Sequence, residues 1–403
     1  MLKFTNQINR RRVMNMHTNL KLRLLEIIKQ YNLIAIKDIA RLSAQSIPNA
    51  TRYIDEMIES GVLQEYINNV VVTGRHPKLV GLNPDYGYIV CVDLGRVNSA
   101  SIGIFNFSSQ RIAHKIIGFN AENTAEQIIE NIMQETEGLI SALSSNRGKL
   151  LNIIIGNPGV VDPETGSIKM FAPSAKWYML PLKTIFGNRF NTEVVVLNDI
   201  NLSAVGEKEH GLGRGYRNFI FVRGDAGLKA GIIIKNRLYQ GETGSAGEIG
   251  YNVILGNDTG KRNIISAESL LSMSSILSRV ADQLPAHPND MFFSITHGNK
   301  NNVSVENILK VLDSDSYVSD IIRNCGEIFA YVLLNIVTTL DISLVIIGGE
   351  IIKLHNYFFK PLREVLSESM SNPPTVITSS LGADAALYGA FSIGLEQAFK
   401  QIK

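Results

Sequence analysis

Carboxylate and carboxamide side chains recur in four short segments, each at the end of a predicted buried strand. The segments are residues 93–95, 157–162, 198–201 and 247–251. Sugar hydroxyl groups donate and accept hydrogen bonds, so a site that excludes water has to offer them fixed polar partners. A pair such as Asn198-Asp199 is by itself more often a helix cap than a ligand site. Four such segments in one chain nevertheless indicate a carbohydrate site, with Asn157 as a candidate ligand in the second segment.

The strands before these segments belong to a body that begins near residue 82. Apolar runs predict strands at 89–93, 100–105, 152–155, 194–197, 219–222, 231–234 and 344–347, and helical spacing predicts helices at 124–143, 317–340 and 384–397. Hairpins that lead into helices, twice over, predict an α/β body of two lobes with a cleft between them. Ligands of such folds bind at the carboxyl ends of the strands, where the four segments lie.

The residues before this body have the pattern of a winged helix-turn-helix. Apolar residues at helical spacing predict one helix over 19–30, a second over 36–43 and a third that follows its cap Ser46 and stops at Gly61. The runs 62–65 and 70–73 predict two strands that turn at Asn68-Asn69, which together form the wing. Ala44 stands in the tight turn between the second and third helices, where a positive φ would cost about 1 kcal/mol at most.

The charge distribution also separates this head from the body. Residues 1–80 contain 12 Lys and Arg against 6 Asp and Glu, a net charge of +6, whereas residues 81–403 contain 27 against 31, a net charge of −4. A basic segment on a neutral body is the electrostatic footprint of a nucleic-acid module. The alternative is a three-helix protein-interaction module whose charges are simply solvated.

The third helix of such a module enters the major groove, and its exposed N-terminal residues reach the base edges. Asn49 can read adenine and Arg52 can read guanine, so these two are predicted to determine specificity. Arg75 is either a DNA contact or a hinge contact to the body. The full set of candidate DNA-binding residues is Arg10, Arg11, Arg12, Ser46, Asn49, Thr51, Arg52 and Arg75, with the arginine run expected on the phosphate backbone or in the minor groove.

At 403 residues the chain exceeds what one hydrophobic core usually organises, which predicts two or three domains. No apolar run approaches the ~20 residues that cross a bilayer, and the polar, basic start lacks the apolar segment of a signal peptide. A cytoplasmic protein is therefore expected. Cys91 and Cys325 are far apart in apolar segments, so neither a disulfide framework nor a CxxC metal site is expected.

From about residue 20 to residue 394 the sequence resembles the ROK family of bacterial repressors and sugar kinases, in the branch of regulators with an N-terminal winged helix. Residues 241–250, Gly-Glu-Thr-Gly-Ser-Ala-Gly-Glu-Ile-Gly, are similar to the most specific family signature. Further matches are residues 93–95, 156–159, 198–204, 347–349 and 382–390. The resemblance implies an α/β chain with a winged helix-turn-helix plus a two-lobed actin-like, RNase H-like sugar-kinase fold. The expected domains are a DNA-binding domain at 1–81, a first lobe at 82–198 completed by a C-terminal helix at 385–403, and a second lobe at 199–384.

The resemblance also implies roles for single residues. In the kinases of this family the residue matching Asp199 takes the proton from a sugar hydroxyl group, and the residues matching Asn198, Glu248 and Glu268 hold the sugar. Trp177 falls where an aromatic residue near the sugar is expected. Tyr251 replaces a family histidine and can offer its hydroxyl group to a ligand. These are implied as binding roles only, so Asp199 is a vestigial base and no catalytic residue is expected.

Both phosphate-binding loops depart from the family pattern. Arg96-Val97 stands where Gly-Thr is expected after Gly95, and the second loop reads Asp225-Ala-Gly-Leu-Lys229 instead of Gly-Thr-Gly-x-Gly. Phosphoryl transfer needs backbone that approaches the polyphosphate closely, and a carboxylate in that place repels it, so ATP binding is not expected. The zinc cluster of many family members is missing too, because residues 252–264 contain no cysteine, and neither metal nor cofactor is expected.

The sequence therefore predicts a DNA-binding transcription regulator of carbohydrate genes, with a repressor as the leading form, whose operator affinity changes when a sugar binds between the lobes. The expected partners are an operator duplex, a monosaccharide or phosphosugar, and further copies of the chain in a homodimer or homotetramer; no membrane partner is expected. An activator is equally compatible with this physics. Two other functions stay open, namely an ATP-dependent sugar kinase with a fused DNA-binding head and a regulator controlled by a protein partner.

Overall fold

The computed structural model describes residues 20–66, 78–120, 122–143, 148–161, 168–171, 180–256 and 263–402. These residues fall into two compact units. The first unit holds the described residues up to 155, those of 176–196 and those from 390 onward, and the second holds those of 156–175 and 197–389. The expected division into a head at 1–81 and lobes at 82–198 and 199–384 remains a prediction.

The first unit begins with the predicted helix-turn-helix. Its helices are α1 (20–31), α2 (Ile36–Ser43) and α3 (Ile47–Glu59). Their inward residues at helical spacing are buried, namely Leu24, Leu25, Ile28, Ile39, Ala40, Ala50, Tyr53, Ile54 and Met57. Burial of these positions on all three helices is what amphipathic helices packed in one small domain require.

Beside the helices, the first strand of the predicted wing is present, but the strand that pairs with it is a different one. Strand β2 (Leu63–Tyr66) lies within one residue of the predicted run, but it pairs antiparallel with β3 (Leu79–Leu82), which also pairs with β1 (Ile34–Ala35). Gly81 allows this arrangement, since a Cβ there would lie 2.9 Å from the carbonyl oxygen of Asn32. The predicted second wing strand at 70–73, with its turn at Asn68-Asn69, lies outside the described residues.

In the turn between α2 and α3, Ala44 has the positive φ that the sequence analysis considered for it. Ala44 adopts φ 56°, in the left-handed region, and the side chain of Ser46 caps α3 by accepting a hydrogen bond from the Asn49 amide. A left-handed residue other than glycine costs about 1–2 kcal/mol, somewhat more than the sequence led us to expect. Glycine would avoid this strain but would lose about 0.5–1 kcal/mol more chain entropy on folding.

We therefore expect Ala44→Gly to stabilise the head by roughly 0.5–1 kcal/mol, because the strain relieved exceeds the extra entropy lost on folding. The measurement is urea unfolding of the full-length protein, followed by a signal from the head. The control is Ala40→Gly inside α2, which has ordinary helical geometry and should instead destabilise by about 1 kcal/mol. Destabilisation by Ala44→Gly would contradict the strain argument.

The larger sheet of the first unit has the strand order β10-β7-β4-β5-β6. Its strands are β4 (Gly87–Asp93), β5 (Ser99–Asn106), β6 (Arg111–Gly118), β7 (Lys149–Asn157) and β10 (Glu193–Asn198). It is accompanied by α4 (Ala125–Ser141), α5 (Leu182–Phe190) and the C-terminal α13 (Ala385–Gln401). The end of α13 packs on this sheet, because Asn152 donates a hydrogen bond of 2.9 Å to the Gly394 carbonyl and Phe391 stacks on Phe105.

The second unit is built on a sheet with the order β13-β12-β11-β16-β17. Its strands are β11 (Phe219–Gly224), β12 (Leu228–Ile234), β13 (Arg237–Tyr239), β16 (Leu344–Gly348) and β17 (Thr375–Thr378). Two strand pairs, β8 (Gly159–Val161) with β9 (Ile168–Phe171) and β14 (Val253–Gly256) with β15 (Asn263–Ser266), complete its strands among the described residues. The helices are α6 (Asp199–Glu209), α7 (Ala267–Leu271), α8 (Met273–Gln283), α9 (Met291–Thr296), α10 (Val305–Leu309), α11 (Ser316–Leu340) and α12 (His355–Ser369), besides short 3-10 turns.

The two faces of this second sheet pack against different helices. Because side chains alternate along a strand, Ile220 and Val222 join the core formed with α7, α8, α11 and α12, while Phe219 and Phe221 face Ile200 and Ala204 of α6. Strand β11 is therefore buried on both faces, and its continuous apolar run Phe219–Val222 fits that position.

Helix α11 is long and apolar enough to cross a membrane, which corrects the expectation that no segment approaches that length. Half of its most apolar stretch is buried within the second unit. There Phe329 packs edge-on against Phe358 of α12, with 5.3 Å between ring centroids. Burial in a protein core accounts for the apolar composition of this helix.

Candidate functional site

The first carboxamide of the predicted sugar site caps a helix. The Asn198 side chain accepts a hydrogen bond of 3.0 Å from the Ile200 amide at the start of α6, and its amide group donates to the Gly159 carbonyl. The alternative of a helix cap, which the sequence left open, therefore applies to this residue. A part for Asn198 in ligand binding remains a prediction, and it would use the second hydrogen of the amide group or the second lone pair of the carbonyl oxygen.

Asp199 is fully buried at the first position of α6. Its Oδ2 atom accepts a hydrogen bond from Nη2 of Arg223, which reaches it from β11. Its Oδ1 atom is buried and has no hydrogen-bond partner among the described residues. A buried acceptor without a donor is unfavourable, so a group that donates a hydrogen bond to this oxygen would be bound with a gain in free energy.

Two further predicted residues place their charges near Asp199. Burial raises the pKa of Glu248; the cation of Lys229 lowers it by less, and the charges of Asp199 and Glu268 raise it further. The Lys229 Nζ atom lies 3.8 Å from Oε1 of Glu248. Glu268 is held from the other side, since its Oε2 atom accepts a hydrogen bond of 3.0 Å from the Leu228 amide. The structure thus brings the three predicted carboxylates into one cluster in the second unit.

The raised pKa of Glu248 means that its charge opposes folding at neutral pH. That cost is fully present above the folded-state pKa. It shrinks as the pH falls from there toward the unfolded-state pKa, because the protonated group is neutral. We therefore expect Glu248→Gln to raise Tm at pH 7 to 8, with the gain shrinking as the pH is lowered toward the ordinary glutamate pKa of 4.5. Differential scanning calorimetry across this range tests it. A gain that grows toward acid pH would have the wrong sign.

The glycine-rich signature positions Glu248 by close backbone packing. Gly247 has φ +93°, and a Cβ atom on it would lie 1.8 Å from the Ala230 carbonyl oxygen of β12. The Ala230 amide in turn donates a hydrogen bond of 2.8 Å to the Gly247 carbonyl. Glycine is required by both the backbone angle and the space, and the residue directly after it is thereby fixed against the β12 strand.

The remaining predicted ligands lie in different surroundings. Asn157, at the end of β7, is buried and donates a hydrogen bond of 3.0 Å to the Pro158 carbonyl. Tyr251 is 66% exposed, in a 3-10 turn directly after the glycine-rich signature. Trp177 lies outside the described residues. All the described predicted ligands belong to the second unit, and their binding roles remain predictions.

The two departures from the family loops have local partners. In the first loop, Asp93 accepts a hydrogen bond of 2.9 Å from the Gly95 amide and lies 3.5 Å from Nε of Arg96. In the second loop, Oδ1 of Asp225 accepts a hydrogen bond of 2.6 Å from the Glu350 amide, and a Cβ atom on Gly349 would lie 2.5 Å from the same oxygen. The carboxylate therefore occupies the backbone donor at this turn, where an outside anion would otherwise compete for it.

Arg223 was not among the residues predicted for the site, although it contacts two of its carboxylates. Besides Asp199, it reaches Asp225, with 3.2 Å between Nε and Oδ2. The sequence does contain a signal, because Arg223 follows the four apolar residues of β11 directly. An arginine at the end of a buried strand requires a buried anionic partner.

Helix α3 presents the predicted base-reading residues. Asn49 donates a hydrogen bond of 2.7 Å to Gln45, and its carbonyl oxygen accepts one of 3.3 Å from Arg52. The Arg52 guanidinium also lies 4.5 Å from the ring centroid of Tyr53. Both side chains are therefore ordered before any duplex is bound, which reduces the entropy lost on binding. Thr51 donates its hydroxyl group to the Ile47 carbonyl, and Arg10, Arg11, Arg12 and Arg75 lie outside the described residues.

The second half of α3 is acidic. Asp55, Glu56 and Glu59 follow Arg52 along the helix, and Glu56 forms an ion pair of 3.1 Å with Lys21 of α1. This half repels phosphate groups, which favours the approach of a duplex at the N-terminal end of α3. The predicted contacts Ser46, Asn49 and Arg52 lie at that end.

Within the ranges that the structure describes, no group of three or more His, Cys, Asp or Glu side chains is placed to hold a metal ion. Cys91 and Cys325 are buried free thiols. Burial raises the pKa of Cys325 to about 11, so this thiol is not a reactive thiolate at neutral pH.

A family model described as the ROK family matches residues 89–397. The chain belongs to the ROK family. The xylose repressor of Caldicellulosiruptor bescii is 28% identical over 351 residues, which cover 86% of this chain and 87% of that protein. The resemblance inferred from the sequence motifs is thereby confirmed.

Solved structures of ROK proteins share the fold. A ROK family transcriptional regulator, a homologue of the Escherichia coli MLC protein, matches 94% of this chain and 96% of its own with a TM-score of 0.78 at 20% identity. A ROK glucokinase from Streptomyces griseus, solved with glucose and AMPPNP, matches 76% of this chain and 99% of its own with a TM-score of 0.64 at 24% identity. These likenesses confirm the predicted α/β fold class, which ROK regulators and ROK sugar kinases have in common.

Proposed function

We propose that this chain is a sugar-responsive transcriptional repressor of carbohydrate genes. The observation that carries the proposal is a helix-turn-helix with half-buried Asn49 and exposed Arg52, which are hydrogen-bonded to each other, on the same chain as a ROK body. A ROK relative named as a xylose repressor supports it. The operator would be read by the N-terminal end of α3, and the sugar would bind at the carboxylate cluster of the second unit.

The coupling between the two sites follows from linkage. A sugar changes operator affinity only by binding the operator-bound and operator-free states with different affinities. Relief of repression therefore requires tighter sugar binding by the operator-free state, and an activator would require the reverse. We further propose that the protein acts in the cytoplasm as a homodimer or homotetramer that reads two half-sites of the operator. Its function would need no metal or cofactor.

The kinase alternative is disfavoured by the second loop. The Asp225 carboxylate in this loop already accepts a hydrogen bond from the Glu350 amide. Lys229 replaces a glycine that would admit phosphate oxygens. Asp199, the vestigial base, is paired with Arg223, so one of its two oxygens is already engaged.

We accordingly expect that xylose, glucose and N-acetylglucosamine each fail to stimulate ATP turnover by the protein. Phosphorylated product is measured with radiolabelled ATP, because this detects even slow transfer. Sugar-stimulated turnover that Asp199→Ala abolishes would make the kinase reading correct instead.

The direct test of the repressor proposal is selection of genomic fragments by the full-length protein, followed by fluorescence anisotropy on the selected duplex with and without each sugar. The expected result is a duplex that binds in the nanomolar range and is released by one sugar. A regulator controlled by a protein partner would bind the duplex, yet no sugar would shift its affinity or its melting temperature.

A further inference from the structure

We propose that Arg223 is a positioning residue of the sugar site, which fixes Asp199 so that one of its oxygens is kept for a hydroxyl group of an uncharged sugar. The inference rests on the proposed function and extends it to Arg223, a residue outside the family motifs described above. It is carried by three contacts within the second unit.

The first contact concerns the two oxygens of Asp199. Arg223 occupies Oδ2, while Oδ1 is buried and has no partner among the described residues. An ion-paired carboxylate is an acceptor and cannot donate, so the group that satisfies Oδ1 has to bring its own hydrogen. A sugar hydroxyl group meets this requirement, whereas an ionised phosphate oxygen does not.

The second contact holds Arg223 itself. Its Nε atom lies 3.2 Å from Oδ2 of Asp225, whose other oxygen accepts the hydrogen bond from the Glu350 amide. The guanidinium is thus fixed between two carboxylates, one of which is anchored on the turn after β16. Because the planar guanidinium donates in two directions at once, lysine could satisfy only one of these partners.

The third contact sets the charge of the cluster. Arg223 and Lys229 are cross-strand partners on β11 and β12, and Lys229 lies 3.8 Å from Glu248. Among the residues that the structure describes, two cations therefore stand among four carboxylates, those of Asp199, Asp225, Glu248 and Glu268. A phosphorylated sugar would add negative charge to a cluster in which carboxylates already outnumber the cations, which disfavours it relative to the parent sugar.

Three variants distinguish a purely structural role of Arg223 from a role in positioning Asp199. Arg223→Met leaves a buried charge on Asp199 and is expected to lower Tm strongly. The double variant Asp199→Asn with Arg223→Met removes both charges and should regain most of that Tm. Arg223→Lys keeps the charge but loses the second arm.

The test uses full-length protein and titration calorimetry with xylose, glucose, N-acetylglucosamine, glucose 6-phosphate and N-acetylglucosamine 6-phosphate. We expect wild-type protein to bind an uncharged sugar at least tenfold more tightly than its phosphate. Arg223→Lys should bind that sugar at least tenfold more weakly with a Tm near that of wild type. The double variant should not bind it, although it regains most of the wild-type Tm. Lys353→Met, which removes an ion pair of 2.7 Å with Glu350 beside the same turn, is the control and should bind sugar normally.

Wild-type sugar affinity in Arg223→Lys or in the double variant would overturn the role of Arg223, and tighter binding of a phosphorylated sugar would overturn the ligand class. Failure of the proposed function has a different signature, because the wild-type protein would then bind no duplex selectively or no sugar at all.

Discussion

Alanine at both Asn49 and Arg52 is expected to lower affinity for the selected operator by about 10²- to 10⁴-fold, since each good bidentate contact to a base contributes about 1–3 kcal/mol. Affinity for random duplex should change much less, because phosphate contacts supply nonspecific binding. Both side chains lie on the surface of α3, and their contacts to Gln45 and Tyr53 are local. Tm should therefore stay within a few degrees of the wild-type value.

Fluorescence anisotropy on the operator and on a scrambled duplex, at one fixed salt concentration, measures both effects. The matched control is Glu59→Ala, an exposed position on the acidic half of the same helix, which should bind the operator at least as well as wild type. An equal loss on operator and scrambled duplex would show that Asn49 and Arg52 contact phosphates, and no loss at all would place the readout on another element.

Gly247→Ala should lower Tm by roughly 10 °C, because a destabilisation of about 4 kcal/mol shifts a unit of this size by 2–4 °C per kcal/mol. The new Cβ atom would meet the Ala230 carbonyl oxygen at 1.8 Å, and alanine would also be strained at φ +93°. Since the clash can be relieved only by moving the signature away from β12, Glu248 moves as well. Sugar binding should fall more than tenfold even at temperatures where the variant stays folded.

The control for Gly247 is Gly215→Ala in the same unit. Gly215 has φ +87°, but a Cβ atom there would meet nothing within 4 Å. It shares the backbone strain, about 1–2 kcal/mol, without the clash. Calorimetry and sugar titration of the two variants therefore separate the two costs, and similar losses in both would show that backbone strain alone explains Gly247.

Local features of the head could be predicted from sequence because their causes lie within a few residues. Ser46 caps α3 through the Asn49 amide, three positions away, and the conformation of Ala44 is fixed by the short turn around it. Strand β3 was missed because its pairing with β1 and β2 depends on Gly81 approaching the chain at Asn32, a contact between distant residues.

The candidate sugar site also depends on contacts between distant residues. The motifs named Asp199, Glu248 and Glu268, and the structure brings their charges together. They could not name Arg223, because its role comes from reaching Asp199 on a different element, 24 positions earlier. Nor could they show that both polar atoms of Asn198 are used within the fold, since one of them bonds to Gly159 in a separate segment.

The acidic half of α3 bears on how quickly an operator is found. A regulator locates its site by sliding and hopping on random DNA, and it spends most of that time held by phosphate contacts. Asp55 and Glu59 are exposed beside the residues proposed to read the bases, and their negative charges would weaken such phosphate contacts. If Asn49 and Arg52 read the bases as proposed, these carboxylates would shorten the time spent on random DNA and so speed the search for the operator.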